Sequence, residues 1–136
     1  MTAILTPYLN FAGNAREAME FYQSVIGGDL QVMTFADMGG MGLPEDEQAQ
    51  VMHAALTAGD GLVVFASDVP HGMYETPQGF GVALSGTDLE RLRGWWDGLS
   101  AGATIQMPLE KAPWGDWFGS LDDRFGINWL VNITGS

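Results

Sequence analysis

The 136 residues predict an α+β domain built from two tandem βαβββ modules. Three observations carry this expectation. Apolar residues alternate with period two in several short runs, helical spacing appears in two segments, and the order strand, helix, three strands occurs twice. The halves also align with each other, at an offset of about 74 residues over the helices: Phe21-Tyr22 over Trp95-Trp96, Gly28 over Gly102, Met33 over Met107. At the hairpins the offset falls to about 65, because the loop 36–49 has only residues 108–113 as its counterpart. The chain therefore reads as a single domain over residues 1–136, with modules at about 1–68 and 79–136.

Each element has a local reason. Residues 3–11 alternate, with Leu5, Leu9 and Phe11 on one side and Thr6, Tyr8 and Asn10 on the other, which predicts a half-buried strand. Asn14 with Glu17 three residues on has the form of a capping box, so a helix is expected to begin there. Ala15, Ala18, Met19, Tyr22 and Ile26 form its apolar stripe, and Gly27-Gly28 ends it. Residues 29–35 make a second strand. The Gly- and acid-rich stretch 36–49 reads as a loop. Residues 50–57 and 61–67 form a hairpin around Ala-Gly-Asp-Gly. After a second loop, 68–78, the pattern restarts with a strand at 80–85 and a helix capped by Thr87, with Glu90 at the capping-box position. Leu92, Trp95, Trp96 and Leu99 form that helix's stripe, and Ala101-Gly102 ends it. A short strand at 104–107 and a final hairpin of 114–121 and 127–133 complete the chain.

Composition excludes several classes of function. Seventeen acids face five bases, Arg16, Arg91, Arg93, Lys111 and Arg124, for a net charge of −12. The bases form no stripe, so no nucleic-acid partner is expected, since phosphate binding needs clustered Lys and Arg. The apolar fraction of 46% suffices for a core, yet no run approaches the ~18 apolar residues of a membrane span, so no membrane partner is expected either. There is no cysteine, hence no disulfide framework and no thiolate chemistry. MTAILTPYLNF lacks a basic n-region and a small-residue cleavage site, so it is expected to be a strand rather than a signal peptide, and the expected location is the cytoplasm.

The stretches PYLNFAGNAREAMEFYQSVIGG, VMHAALTAGDGLVVFASD and WGDWFGSLDDRFGINWLVNI span most of the chain. Together they resemble the PhnB-like proteins of the vicinal oxygen chelate superfamily, also called the glyoxalase/bleomycin resistance/dioxygenase superfamily. This group is often labelled 3-demethylubiquinone-9 3-methyltransferase-like. The resemblance implies a glyoxalase/bleomycin resistance fold with a curved, partly open mixed sheet around a small-molecule cavity, and it implies a homodimer. The methyltransferase label fails a sequence check. The Gly-rich cluster at Gly39, Gly40 and Gly42 follows a second strand in an acidic loop and opens no helix, whereas a nucleotide-type cofactor needs its glycines at a strand-to-helix turn.

The resemblance further implies a divalent metal held by residues from the first and fourth strands of each module. Those slots fall at Thr6 or Pro7, near Phe65, near Gly81 and near Leu130, and none is a good ligand for a hard or borderline cation. His53 and His71 are the chain's histidines, and His71 sits in a Pro-His-Gly turn. No metal cofactor is therefore expected, although a site joining His53 to Asp68 or Asp116 stays open, given at least three protein ligands.

His53 lies in VMHAAL, on the strand beside the fourth-strand slot. It reads either as a satisfied strand histidine or as a cavity-lining acid or base, since imidazole titrates near ~6.5. Asp68 ends the next strand and is a candidate partner for it. With Leu130 placed toward the cavity, alternation puts Asn128 and Asn132 beside it and turns Trp129 toward the second helix as a core residue. Trp114 is expected at a strand mouth, on a rim or a subunit contact; Trp117 is left open. The expected ligand-binding set is Thr6, Tyr8, Asn10, Phe65, Asp68, Trp114, Asn128, Leu130 and Asn132, with His53 as the catalytic candidate. Such a cup of apolar groups with spaced hydroxyls and amides suits a small-molecule ligand. Two functions stay open at this level: a metal-independent binder, and a metal- or His53-dependent isomerase or lyase acting on a small oxygenated substrate.

Overall fold

The computed structural model describes residues 4–40, 42–59, 61–69 and 73–135. The first half runs β1 Tyr8–Phe11, α1 Ala15–Ile26, β2 Asp29–Thr34, β3 Val51–Gly59 and β4 Leu62–Asp68. The second runs β5 Val82–Gly86, α2 Leu89–Leu99, β6 Thr104–Lys111, β7 Trp117–Asp122 and β8 Asn128–Ile133. The βαβββ order thus occurs twice, and the chain divides into two compact units at Glu75/Thr76. Each unit has its own mixed sheet, ordered β1-β4-β3-β2 in the first and β5-β8-β7-β6 in the second. In each sheet the first strand pairs parallel with the fourth, and the remaining pairs are antiparallel. Among the described residues no helix is long and apolar enough to cross a membrane.

In the N-terminal unit, one face of the sheet packs under α1. Leu9 pairs with Ala66, Ala66 with Ala54, and Val64 with Leu56, and all are buried with Ala15, Ala18, Met19 and Tyr22 of the helix. The start of α1 is not secured as the sequence suggests. Asn14 occupies the N-cap position but makes no side-chain cap. Asp68, from the end of β4, does that work: its Oδ1 accepts the N–H groups of Gly13 and Ala15, both at 2.9 Å, and its Oδ2 accepts that of Val51 at 2.9 Å. One carboxylate so ties the helix N-terminus, where negative charge is favoured, to the first residue of β3. At the other end Gly27, at φ 79°, donates its N–H to Gln23 O at 2.8 Å.

The C-terminal unit solves the same problem differently. Asp88, rather than Thr87, caps α2 by accepting the Arg91 N–H at 3.1 Å. Its buried face carries Leu121, Trp129, Val131 and Ile133 against Leu92, Trp95, Trp96 and Leu99. Gly119 belongs to this face: a Cβ there would lie 2.9 Å from both the Trp96 ring and the Leu109 backbone, so only glycine lets sheet and helix approach this closely. Trp129 is 1% exposed and donates its ring N–H to Asp123 Oδ2 at 2.8 Å. Trp117, which alternation left undecided, also belongs to the helix side, with the Arg93 guanidinium 5.1 Å from its ring centre. Strand β6 runs four residues beyond the expected end, through two register shifts, as an exposed edge strand. The start of β7 is Trp117 rather than residue 114, which leaves Trp114 in the preceding turn.

Candidate functional site

Because strands alternate, each sheet also has a face turned away from its helix. In the N-terminal unit the register assembles that face row by row. Tyr8 lies opposite Phe65, Phe65 opposite Ala55, and Ala55 opposite Gln31. In the next row Asn10 lies opposite Ser67 on β4, and His53 on β3 lies opposite Met33. Three rings from three strands gather here. His53 and Phe65 have ring centres 5.0 Å apart in an edge arrangement, Tyr8 and His53 5.8 Å, and Tyr8 and Phe65 6.2 Å. Tyr8 is 48% exposed, and its hydroxyl lies 3.4 Å from His53 Nδ1. When that hydroxyl donates, Nδ1 accepts and the ring proton sits on Nε2, leaving a donor free for a ligand.

The sequence-predicted residues separate into groups. Tyr8, Asn10, His53 and Phe65 share the open face of the N-terminal sheet. Asp68 does not join them: Ala54 pairs with Ala66, so Asp68 falls on the helix face and His53 on the other. The expected His53–Asp68 partnership is thus absent, because odd and even residues of adjacent strands point to opposite sides. Thr6 precedes β1, and its hydroxyl is buried without a hydrogen-bond partner among the described residues. Asn128, Leu130 and Asn132 line one face of β8, away from α2. Trp114 is 76% exposed. His71 lies outside the described residues. Asp116 belongs to the C-terminal unit, where its Oδ1 accepts the Gly135 N–H at 2.9 Å.

Sequence reasoning missed a second polar group on that C-terminal face. Asp122 lies opposite Asn128, and Ser120 opposite Leu130. Gln106 reaches over from β6 and donates to Asp122 Oδ2 at 3.1 Å, while Asn128 donates to Asp122 Oδ1 at 3.0 Å and to Gln106 Oε1 at 3.0 Å. Ser120 Oγ donates to Gln106 Oε1 at 3.3 Å. In sequence, Asp122-Asp123 opens the stretch Asp-Asp-Arg-Phe-Gly, which reads as the turn of the final hairpin. Alternation was the available clue: Asp122 has the parity of Ser120, and Asp123 follows it into the core.

The metal implied by the resemblance does not fit these residues. At the fourth-strand slots stand Phe65 and Leu130, whose carbon side chains offer no lone pair, and Gly81 has none to offer. Among the described residues no group of three His, Cys, Asp or Glu side chains is placed to hold an ion. The Gly39-Gly40 pair follows a single 3-10 turn, Ala36–Met38, and opens no helix.

Comparison with known proteins supplies the context. A family profile described as the Glyoxalase/Bleomycin resistance protein/Dioxygenase superfamily matches residues 5–131. Protein YjdN of Escherichia coli is 28% identical over 143 residues, covering 96% of this chain and 95% of that protein. The crystal structure of protein PA1353 from Pseudomonas aeruginosa superposes with a TM-score of 0.83 at 33% identity, over 99% of this chain and 100% of that one. A PhnB protein from Bacillus cereus, provisionally named a 3-demethylubiquinone-9 3-methyltransferase, gives a TM-score of 0.71 at 27% identity, over 97% and 100% of the two chains.

Proposed function

This chain belongs to the glyoxalase/bleomycin resistance/dioxygenase superfamily, and from that premise we propose that it is a small-molecule-binding protein working without the superfamily's usual metal site. The observation that carries the reading is the ring cluster of Tyr8, His53 and Phe65 on the open face of the N-terminal sheet. Phe65 stands where a metal ligand would be needed, and in its place offers a wall for a flat or apolar group. Tyr8 and His53 add hydrogen-bonding capacity at its edge. Convergent polar groups on an apolar platform are the usual make-up of a ligand site. A homodimer belongs to the same reading, supported by the exposure of Leu5 at 102% and Trp114 at 76%; light scattering of the eluted protein tests it.

The test is a screen of small aromatic and oxygenated compounds by NMR, read at the His53 and Tyr8 ring signals with a chelator present. Compounds that shift these signals, and lose that effect in Tyr8→Ala and His53→Ala, support the reading. Binding that appears only on adding a divalent cation overturns it.

The Tyr8–His53 contact also favours a second reading, an enzyme in which His53 moves a proton of a small oxygenated substrate. Turnover that survives His53→Ala undiminished removes it.

A further inference from the structure

The polar network of the C-terminal sheet sits in a recess of about 360 Å³ whose lining includes Pro77, Phe80, Gln106, Asp122 and Asn128. Among the described residues that line it, Asp122 is the one ionisable group. Each carboxylate oxygen accepts one amide N–H, from Gln106 and from Asn128. A carboxylate has about four lone-pair sites in all, so about two remain. Among the described residues no Lys, Arg or His side chain pairs with Asp122. Three of the chain's five Lys and Arg side chains are engaged elsewhere: Arg91 lies over Trp95, Arg93 over Trp117, and Arg124 donates to Ala101 O.

The recess is also shaped. The two N–H groups of Asn128 Nδ2 are shared among three acceptors, Gln106 Oε1, Asp122 Oδ1 and Leu121 O, which fixes its amide plane. Its Oδ1 then lies against Gly81, where a Cβ would collide with it. Phe80 lines the recess and is 53% exposed, so its ring is open to a ligand. A negative group held in place by neutral amides, with lone pairs free and an aromatic wall beside it, has the chemistry of a cation site.

We propose that this recess binds an organic cation bearing N–H donors, an ammonium, amidinium or guanidinium group, with Asp122 as the anionic anchor and Phe80 as the apolar wall. The recess is lined by other residues than the Tyr8–His53 face, and the proposal stands or falls independently of that face. The net charge of −12 draws such a ligand in.

Benzamidinium and its neutral isostere benzamide separate the ideas, read at the side-chain amide signals of Gln106 and Asn128 in ¹⁵N-labelled protein. Benzamidinium is expected to shift both amides, and benzamide to bind roughly tenfold or more weaker, the discrimination of one charge-assisted hydrogen bond. Asp122→Asn is expected to abolish the preference, and Phe80→Ala, which leaves the polar network in place, to weaken both compounds. Equal binding of the two compounds by the wild-type protein overturns the cation inference while leaving small-molecule binding standing. No shift with either compound overturns the recess as a site, and the Tyr8–His53 face retains its own separate test.

Discussion

Removing the Asp68 carboxylate should cost the N-terminal unit a large part of its stability. Asp68 is 3% exposed and accepts three backbone N–H groups at 2.9 Å. Two of those donors, Ala15 and Val51, are in buried bonds, while the Gly13 bond is only part-buried, so water can replace the acceptor there. A hydrogen bond to a charged group contributes about 1.5–3 kcal/mol. Counting the two buried bonds fully and the third little gives about 3–6 kcal/mol for Asp68→Ala, a large share of the ~5–15 kcal/mol that holds a domain together. Asp68→Asn keeps Oδ1 for Gly13 and Ala15 but turns an NH₂ against the Val51 N–H, so it should lose about 1–3 kcal/mol. The assay is urea unfolding, read as a fall in midpoint at constant slope, with hydrogen exchange at Ala15 and Val51 as the local readout. A loss below about 1 kcal/mol for the alanine variant would refute the tie. So would an Asp68→Asn protein of unchanged stability that had lost ligand binding at the Tyr8–His53 face.

Three further expectations follow from single contacts. Trp129→Phe removes the ring N–H from Asp123 Oδ2 and leaves a carboxylate 4% exposed short of a donor; the expected loss is about 1–3 kcal/mol in thermal or urea unfolding, and an unchanged midpoint would contradict it. Gly119→Ala puts a Cβ 2.9 Å from both the Trp96 ring and the Leu109 backbone; over-packing of this kind costs about 1–3 kcal/mol, and a neutral result in the same assay would mean that α2 and the sheet are less tightly apposed. Asp37 accepts the Thr34 backbone N–H, and this bond, followed by the Thr34 side chain's, holds its carboxyl below the ordinary 3.8. A depressed folded-state value means that the contribution to stability is present above the unfolded value and is lost as pH falls through the folded one. Carbon-detected titration should therefore place Asp37 below 3.8 and move it upward in Thr34→Ala; a midpoint at or above 3.8 in the wild-type protein would contradict the bond.

Local pattern carried the architecture. Period-two alternation and two helical stripes were enough to order ten elements and to find the duplication, because each strand has one buried face and must show it in its letters. Trp129 could be turned toward α2 by parity once the resemblance placed Leu130 toward the cavity. What failed depended on contacts remote in sequence. The cap of α1 comes from Asp68, more than fifty residues beyond Asn14, and a capping box at Asn14 and Glu17 gives no hint that a distant carboxylate takes the place. The His53–Asp68 pairing failed for want of a register: once Ala54 is known to face Ala66, their opposite sides follow. Strand β6 was cut short at Pro108, which reads as a strand end, although Ile105, Met107 and Leu109 continue the alternation and an edge strand tolerates proline. The Gln106–Asp122–Asn128 network stayed hidden because Asp-Asp before Arg-Phe-Gly reads as turn chemistry, although one aspartate turns to the open face and the other into the core.

Titrating Zn²⁺ and Mn²⁺ into chelator-stripped protein, with the Phe65 and Leu130 side-chain NMR signals followed alongside the heat, bears most directly on whether ligands are held here without a metal ion. Weak, non-stoichiometric uptake that leaves both signals in place is the predicted result. A tight one-to-one complex that shifts or broadens them would contradict it.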